Sequence, residues 1–282
     1  MRILRAGMRI SKKIIDNVLY ALFLLFYPLL KKNINSDLVV HLYVLCWNEE
    51  KMISYFIDYY RDYVDKICVY DNMSDDRSLE LLSGREKVEV VQYDTGGVID
   101  NDRYLEIKNN VWKASAGVAD FVIVCDMDEF LYAKDIKKFF LFMKKMGYSI
   151  LKPKGYEMCS DIFPEYDGKQ KIVDIVKEGY SVKDFLCKNI LFDPGKIKEI
   201  NYEPGCHWSN PEGEIKMFYS PGVKLLHYDA IGKDYFLQKR VSRKKRLSSD
   251  KLKKGYSLHY NKTIDDFALE FEKKRRLKHV VI

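Results

Sequence analysis

Apolar and polar positions along this chain change rhythm three times. Residues 18–30 (VLYALFLLFYPLL) form a nearly unbroken apolar run, preceded by Arg2, Arg5, Arg9, Lys12 and Lys13 and followed by Lys31 and Lys32. From Val39 onward, short β-branched runs alternate with helical stripes. VVHLYVLC (39–46) and FVIVC (121–125) predict buried strands, and KICVY (66–70) and VEVVQY (88–93) predict two further strands, because each is short, apolar and bounded by turn residues. Between them, residues 50–64 place Ile53, Phe56, Ile57, Tyr60 and Val64 on one helical face. Residues 78–82 predict a short helix, and a longer one carries Tyr104, Ile107, Val111 and Val118. Beyond an amphipathic helix at 136–143 the alternation fades. Only ILKP (150–153) and VKLLHY (223–228) read as strands in a stretch otherwise rich in Gly, Pro and aromatics.

Strands separated by helices imply right-handed crossovers and an α/β fold with a mostly parallel sheet covered on both faces. Ligands of such sheets sit outside the carboxyl ends of the strands. Three polar clusters fall there: Asn48-Glu49, Asp71 to Asp76, and Asp126-Met127-Asp128-Glu129. The last carries the most chemistry. Its three carboxylates leave a buried strand together and repel one another. A hard divalent cation, Mn²⁺ or Mg²⁺, relieves that repulsion and keeps open positions for substrate phosphates. The competing expectation is that Asp128 or Glu129 caps a helix that follows.

Charge divides the chain further. The net charge is +7, but residues 1–33 carry +6 and residues 233–282 carry +10, which leaves −9 for 34–232. An acidic body with basic ends suits a surface-binding protein better than a nucleic-acid reader. The expected organisation is a basic, hydrophobic membrane-associating segment (1–33), a nucleotide-binding half (34–149), a variable substrate-binding half (150–232) and a basic helical tail (233–282). Thirteen apolar residues make a helix of about 20 Å, short of the ~30 Å hydrocarbon core. Pro28 interrupts it, and Lys31-Lys32-Asn33 offers no signal-peptidase site. An interfacial helix on an anionic leaflet is therefore expected, with a helix packed on the protein body as the alternative. The six cysteines are scattered and contain no C-x-x-C pair, which fits a reducing, cytoplasmic setting at the inner face of the plasma membrane.

With these residues in view, the chain resembles the family-2-like glycosyltransferases of the GT-A fold, in the bacterial branch bearing a D-x-D-E-F motif. The likeness spans about residues 38–245. It rests on Cys46-Trp47-Asn48-Glu49-Glu50, Tyr70-Asp71-Asn72-Met73-Ser74-Asp75-Asp76 and Asp126-Met127-Asp128-Glu129-Phe130, followed by Gly205-Cys206-His207 and Leu226-His227-Tyr228. The resemblance implies a GT-A type, Rossmann-like sheet with a smaller, irregular acceptor half. It implies transfer of a sugar, with inversion, from a nucleoside-diphosphate sugar (a UDP-sugar first) to an oligosaccharide or lipid-linked acceptor in capsule or lipopolysaccharide synthesis. Asn48, Glu49, Asp71 and Asn72 would contact the nucleoside, and Arg103 with Asn109 or Asn110 would line the donor pocket. Asp126 and Asp128 would hold the ribose and the metal, joined by His227 in preference to His207. The Glu-Asp pair that usually supplies the family's base is missing, and Asp161 and Glu203 are the candidate bases.

Three other functions compete. A sugar-nucleotide nucleotidyltransferase opens with a Gly-rich basic loop for triphosphate, whereas Trp47-Asn48-Glu49-Glu50 is acidic and lacks Gly. A phosphatase with Asp126 as nucleophile fits poorly with Phe130 and a mid-chain position. A non-catalytic basic membrane adaptor accounts for both ends and leaves the acidic strand-end edge without a purpose. The segment Lys239 to Arg246 (KRVSRKKR) is expected to be a solvated helix face or to meet phosphates of a lipid-linked acceptor or a membrane. Each histidine has a plain alternative as a hydrogen-bonded core residue.

Overall fold

The computed structural model describes residues 2–30, 37–182, 184–248, 252 and 257–282. Helix α1 (Arg2–Leu30) is followed by β1 (Val40–Cys46), α2 (Glu50–Tyr60), β2 (Lys66–Asp71), α3 (Ser78–Leu82), β3 (Val88–Gln92), α4 (Asn101–Asn110) and β4 (Phe121–Asp126). Strand β1 pairs in parallel with both β2 and β4, and β2 with β3. In this register Cys46 lies opposite Asp71, and Leu45 lies opposite both Tyr70 and Asp126. The turns leaving β1, β2 and β4 therefore emerge side by side, which is the strand-end edge the apolar pattern predicts.

The second half adds β5 (Glu129–Tyr132), α5 (Ile136–Lys145), β6 (Ile150–Ser160), α6 (Ile172–Ile175), β7 (Glu178–Ser181), β8 (Leu191–Phe192), β9 (Ile197–Glu199), β10 (Glu212–Gly213) and β11 (Met217–Ile231). Helices α7 (Lys233–Lys245) and α8 (Ile264–Leu277) and strand β12 (His279–Val280) close the chain. Strand β8 pairs antiparallel with β4 and β6 and joins the halves into one sheet of ten strands. Strands β6 and β11 run parallel, and β5 lies antiparallel on β11. This is a mixed α/β fold, parallel through its amino-terminal half and consistent with a GT-A-like layout.

Two local expectations change. Residues 129–132 are a strand, and the next helix starts only at Ile136, capped by Asp135, whose carboxylate accepts from Lys138 N at 3.1 Å. Neither Asp128 nor Glu129 caps a helix. The apolar run after Glu129 is claimed by β11, and the Tyr60 hydroxyl fixes it by donating to Glu129 O (3.0 Å) and accepting from Leu131 N (2.8 Å). Phe130 then sits among the rings of Phe56, Tyr59, Tyr60 and Tyr228, with centroids 5.1–6.0 Å away. The helical stripe expected through Val118 also ends early. Helix α4 stops at Asn110, a 3₁₀ turn follows (Val111–Ser115), and Val118 is exposed.

Helix α1 packs one face on the protein body, as the alternative expectation has it, and leaves the opposite face exposed. On one side Leu19, Tyr20 and Phe23 pack on the core, Tyr20 against the rings of Phe139, Phe142 and Phe218. Asp16 is buried and accepts from the Tyr148 hydroxyl at 2.6 Å. On the other side Ile14, Ile15, Val18, Leu22, Leu25 and Phe26 stay exposed, spaced three to four apart as one stripe. Lys31, Lys32 and Asn33 lie outside the described residues. Among the described residues no helix is long and apolar enough to cross a membrane.

Strand β6 passes so close to the segment ahead of β8 that a Cβ on Gly155 would overlap the Leu186 carbonyl. Gly155→Ala is expected to lower stability by about 1–3 kcal/mol, the cost of overpacking a filled interior. Chemical denaturation checks this, and an unchanged midpoint would show that the contact yields freely.

Candidate functional site

The first two turns of the edge are built against each other. Asn48 adopts a left-handed backbone (φ 52°), uncommon without glycine. It is held there by exchange with the second turn: Nδ2 donates to Asp75 Oδ1 at 2.5 Å, and Asp75 N donates to Asn48 Oδ1 at 3.0 Å. Glu49 N and Glu50 N donate to Ser78 Oγ and Asp76 Oδ2, so α2 is capped from its neighbour. Asp71 is fully buried and accepts from the backbone and hydroxyl of Ser74. Asn72 donates to Thr95 Oγ1 and the Tyr104 hydroxyl, both at 3.0 Å. In this state Asn48, Asp71 and Asn72 support the loops.

The third turn carries the electrostatics. Lys108 of α4 donates to Asp126 Oδ1 at 2.5 Å, and Lys188 lies 3.6 Å from Asp126 Oδ2 and 2.6 Å from Glu129 Oε1. Lys239 of α7 lies 2.8 Å from Asp128 Oδ2 and 3.0 Å from Glu49 Oε1, with Arg243 at 3.6 Å from the same Glu49 oxygen. Four carboxylates thus share four cations drawn from three distant segments. Burial would raise the Asp128 carboxyl, but Lys239, with His227 and Arg243 behind it, takes it down to about 2. Burial likewise opposes ionisation of Asp126, and Lys108 and Lys188 overcome it and hold that group well below the usual carboxylate range. Each carboxylate of the Asp126–Glu129 turn therefore has a lysine against it.

His227 joins this cluster. It faces Glu129 across β5 and Glu157 across β6. Its Nε2 lies 3.6 Å from Asp128 Oδ1 and its Nδ1 3.3 Å from Glu157 Oε1, while Lys274 of α8 holds the other Glu157 oxygen at 3.2 Å. Burial would lower this imidazole, yet Glu157 and Asp128 carry it to about 9. His207 lies elsewhere, stacked on Phe185.

The remaining candidates are placed differently. Arg103 pairs with Glu106 on its own helix at 2.7 Å, and Asn110 donates to Glu106 O. Asn109 holds the backbone of Tyr202, accepting from its N at 2.8 Å. Asp161 is exposed past the end of β6 and pairs with Arg275 (3.4 Å) and Lys278 (3.6 Å). Glu203 is exposed in a turn whose backbone pairs it with Trp208.

The solvated basic face expected at 239–246 is corrected: Arg240 and Arg246 are buried, the Lys239 side chain is only 8% exposed, and only Lys244 and Lys245 of the basic run are exposed. Helix α7 lies over the strand-end edge, where the carboxylates demand cations. The spacing of Lys239, Arg243 and Arg246 (i, i+4, i+7) marks one helical face and was the available signal. Between α7 and the first turn lies a cavity of about 180 Å³ lined by Trp47, Asn48, Lys51, Lys239, Ser242 and Arg243. At its margin the Arg246 guanidinium lies 3.8 Å from the centroid of Trp47 and donates to Gly97 O and Val98 O.

No family model matches the chain, and no curated protein matches it in sequence. Among solved structures it is similar to S. aureus TarS, with a TM-score of 0.42 and 16% identity over 72% of this chain. It is similar also to S. aureus TarS 1-349 in complex with UDP-GlcNAc (TM-score 0.41, 14% identity), covering 84% of this chain and 72% of that one. A mycobacterial protein scores 0.30 at 16% identity over 43% of this chain and 42% of that one. The chain spans 38% of the TarS chain and 64% of another TarS 1-349 structure.

Because each carboxylate has a cation, removing one member strands the other. Lys188→Met is expected to cost about 3–5 kcal/mol, the penalty for an uncompensated buried charge, and Lys188→Met with Glu129→Gln to recover part of it. Urea denaturation of both variants measures the difference. Equal stability of the single variant and the parent would mean that water already compensates Glu129.

Proposed function

We propose that this chain is a glycosyltransferase that moves a sugar from a nucleoside-diphosphate sugar to an acceptor hydroxyl, with inversion. The observation that carries the proposal is the edge itself. The turns after β1 and β2 line a cavity roofed by α7, where Lys239 and Arg243 share the lining with Glu50 and Asp76 and the Trp47–Arg246 pair stands at the margin. A flat indole suits a nucleobase, and clustered cations suit a diphosphate. Glu49 and Asp128 hold Lys239 charged and oriented, since both carboxylates raise it well above its ordinary value against the opposing effect of burial. A protein cation held in place needs no reorganisation when charge develops on a leaving diphosphate.

Asp128 and His227 have the chemistry to hold a Mn²⁺ or Mg²⁺ ion. The imidazole has a carboxylate behind its Nδ1 and turns Nε2 toward Asp128, the arrangement that orients metal-ligating histidines. Both aspartates carry cations on their two oxygens, Lys108 and Lys188 on Asp126 and Lys239 and His227 on Asp128, and what singles out Asp128 is the imidazole, which would bind an ion on releasing its proton. Among the described residues no group of three or more His, Cys, Asp or Glu is arranged around one point, so the other positions would fall to phosphate oxygens and water. Such an ion, when bound, supplies Lewis-acid neutralisation of the leaving group. The competing reactions suit the edge less well: the first turn, Trp47-Asn48-Glu49-Glu50, has no glycine-rich loop to cradle a triphosphate, and Asp126, clamped by two lysines, is a poor nucleophile.

The exposed stripe of α1 supports a second part of the proposal, peripheral attachment to an anionic membrane surface, where a lipid-linked acceptor for surface polysaccharide would reside. Five Lys/Arg precede that stripe in residues 2–13. Because the inner face of α1 is part of the core, outer-face substitutions test this better than deletion. Leu25→Glu with Phe26→Glu is expected to leave the melting temperature unchanged and to abolish sedimentation with anionic liposomes. Undiminished pelleting would remove the membrane role.

The donor is tested by thermal shift. UDP is expected to stabilise the chain, by about 2.7 kcal/mol at a hundredfold excess over Kd, and Mn²⁺ to add to the shift. Asp128→Asn and His227→Gln should each abolish the Mn²⁺ increment, and electron paramagnetic resonance should show the lost Mn²⁺ directly. If no nucleoside diphosphate stabilises the chain while pyrophosphate is released from a nucleoside triphosphate, the nucleotidyltransferase reading replaces this one.

A further inference from the structure

The turn at 202–209 is built with unusual care for an exposed segment. Tyr202 bridges Ser209, Glu203 N donates to Trp208 O at 3.0 Å, and Cys206 N donates to Glu203 O at 2.7 Å. Gly205 and Cys206 both take left-handed backbones, with φ of 82° and 56°. A side chain at Gly205 would press on the His207 ring, with Cβ 2.8 Å from its Cδ2, so glycine is what lets that ring lie where it does. His207 stacks on Phe185 with ring centroids 3.6 Å apart and planes 24° from parallel, and its Nδ1 lies 3.0 Å from Phe185 O. Trp208 stands across Phe185 at 71°, making a corner of aromatic faces. Phe185 and Trp208 are 48% and 43% exposed, and among the described residues Phe26 is the only other phenylalanine or tryptophan left exposed. Glu203, paired with Trp208 across the turn, is exposed beside the corner.

The position of this corner is fixed by the sequence neighbours of two cations that pair with the carboxylates. Tyr202 is held by Asn109, the neighbour of Lys108, and its hydroxyl donates to the carbonyl of Asn189, the neighbour of Lys188. Asn189 also donates to Ser209 Oγ at 2.8 Å. Lys108 and Lys188 are the two cations on Asp126. The platform is thus tied, one residue away at both anchors, to the first carboxylate of the Asp126–Glu129 turn. Its charge suits a neutral ligand: burial and Lys188 push the His207 imidazole down to about 3, so the stacked ring is uncharged at neutral pH.

We propose that Phe185, His207 and Trp208, with Glu203 at the rim, form an acceptor subsite that stacks a pyranose ring of a carbohydrate. This rests on the donor reading above and names the other substrate. One face of a pyranose presents C–H bonds and packs on aromatic rings, while its hydroxyls point outward. A rim carboxylate accepts from those hydroxyls, and aromatic faces with a few placed polar groups are the usual composition of a small-ligand site. A protein partner would also cover an aromatic patch. The continuity of the platform with the carboxylate turn favours the sugar.

Saturation-transfer NMR on the full chain with saturating UDP tests the assignment. The probes are the methyl β-glycosides of glucose, galactose and N-acetylglucosamine, and the UDP thermal shift is recorded on the same samples. At least one glycoside should receive saturation on the C–H protons of a single ring face. Trp208→Ala and Phe185→Ala should weaken its binding about 10-fold, and Glu203→Gln about 3- to 10-fold, with the UDP shift unmoved. Saturation equal in parent and Trp208→Ala, or absent for all three glycosides in a chain that takes UDP, overturns the subsite. A chain that binds a glycoside through Trp208 but takes no nucleoside diphosphate instead removes the donor reading, and the acceptor role with it.

Discussion

The structure depends on charge compensation at the carboxyl ends of β1 and β4. Two carboxylates about 4 Å apart repel by about 4 kcal/mol at an effective dielectric of ~20, and this turn holds three within four residues, with Glu49 reaching the same Lys239 as Asp128. No local arrangement of the turn removes that cost. Lysines brought in from elsewhere do, each placed between two carboxylates where geometry allows: Lys188 between Asp126 and Glu129, Lys239 between Asp128 and Glu49.

That requirement explains why the carboxy-terminal segment is no loose tail. Further ion pairs continue outward from these lysines. Arg240 grips Asp229 and lies 3.8 Å from Glu270, and Lys274 spans Glu157 (3.2 Å) and Asp229 (3.7 Å). Helices α7 and α8 are thereby tied to β6 and β11 through charges that are almost wholly out of water. Such pairs add little net stability over a well-packed apolar core, because desolvation offsets their attraction. They do penalise any arrangement that separates one partner from the other, so they define where α7 can sit over the cavity.

The parts of this molecule legible in the sequence are those a local pattern carries. The runs before Cys46, Asp71 and Asp126 announce buried parallel strands, and the polar residues that follow announce the edge where they end. The short strand after Glu129 was not legible as such, because Phe130-Leu131-Tyr132 is as apolar as a helix start and only the partner β11 decides. The four cations were harder still. Lys108 and Lys188 sit in segments with no motif, and their pairing with Asp126 is a long-range fact that no spacing encodes. Helix α7 was half-legible: its basic face could be counted, but the face it turns inward depends on the acidic edge waiting beneath it.

Strand alternation accounts for the last piece, the choice of His227. Successive side chains on β11 point to opposite faces, so Tyr228 enters the aromatic cluster around Phe130 while His227 and Asp229 turn to the polar side. The same strand fastens the carboxylate turn from above, since Tyr228 N donates to Asp128 O at 2.8 Å. Anchoring the backbone of Asp128 by the residue next to His227 fixes the separation of their side chains more firmly than contact between two flexible groups would. A one-residue slip of β11 would exchange the two faces, burying an imidazole in the aromatic core and turning a tyrosine toward Asp128. Core packing and the placing of His227 beside Asp128 therefore meet on one strand, whose register on β6 is unbroken from Lys224 to His227 and shifts after it, while its pairing with β5 holds His227 opposite Glu129.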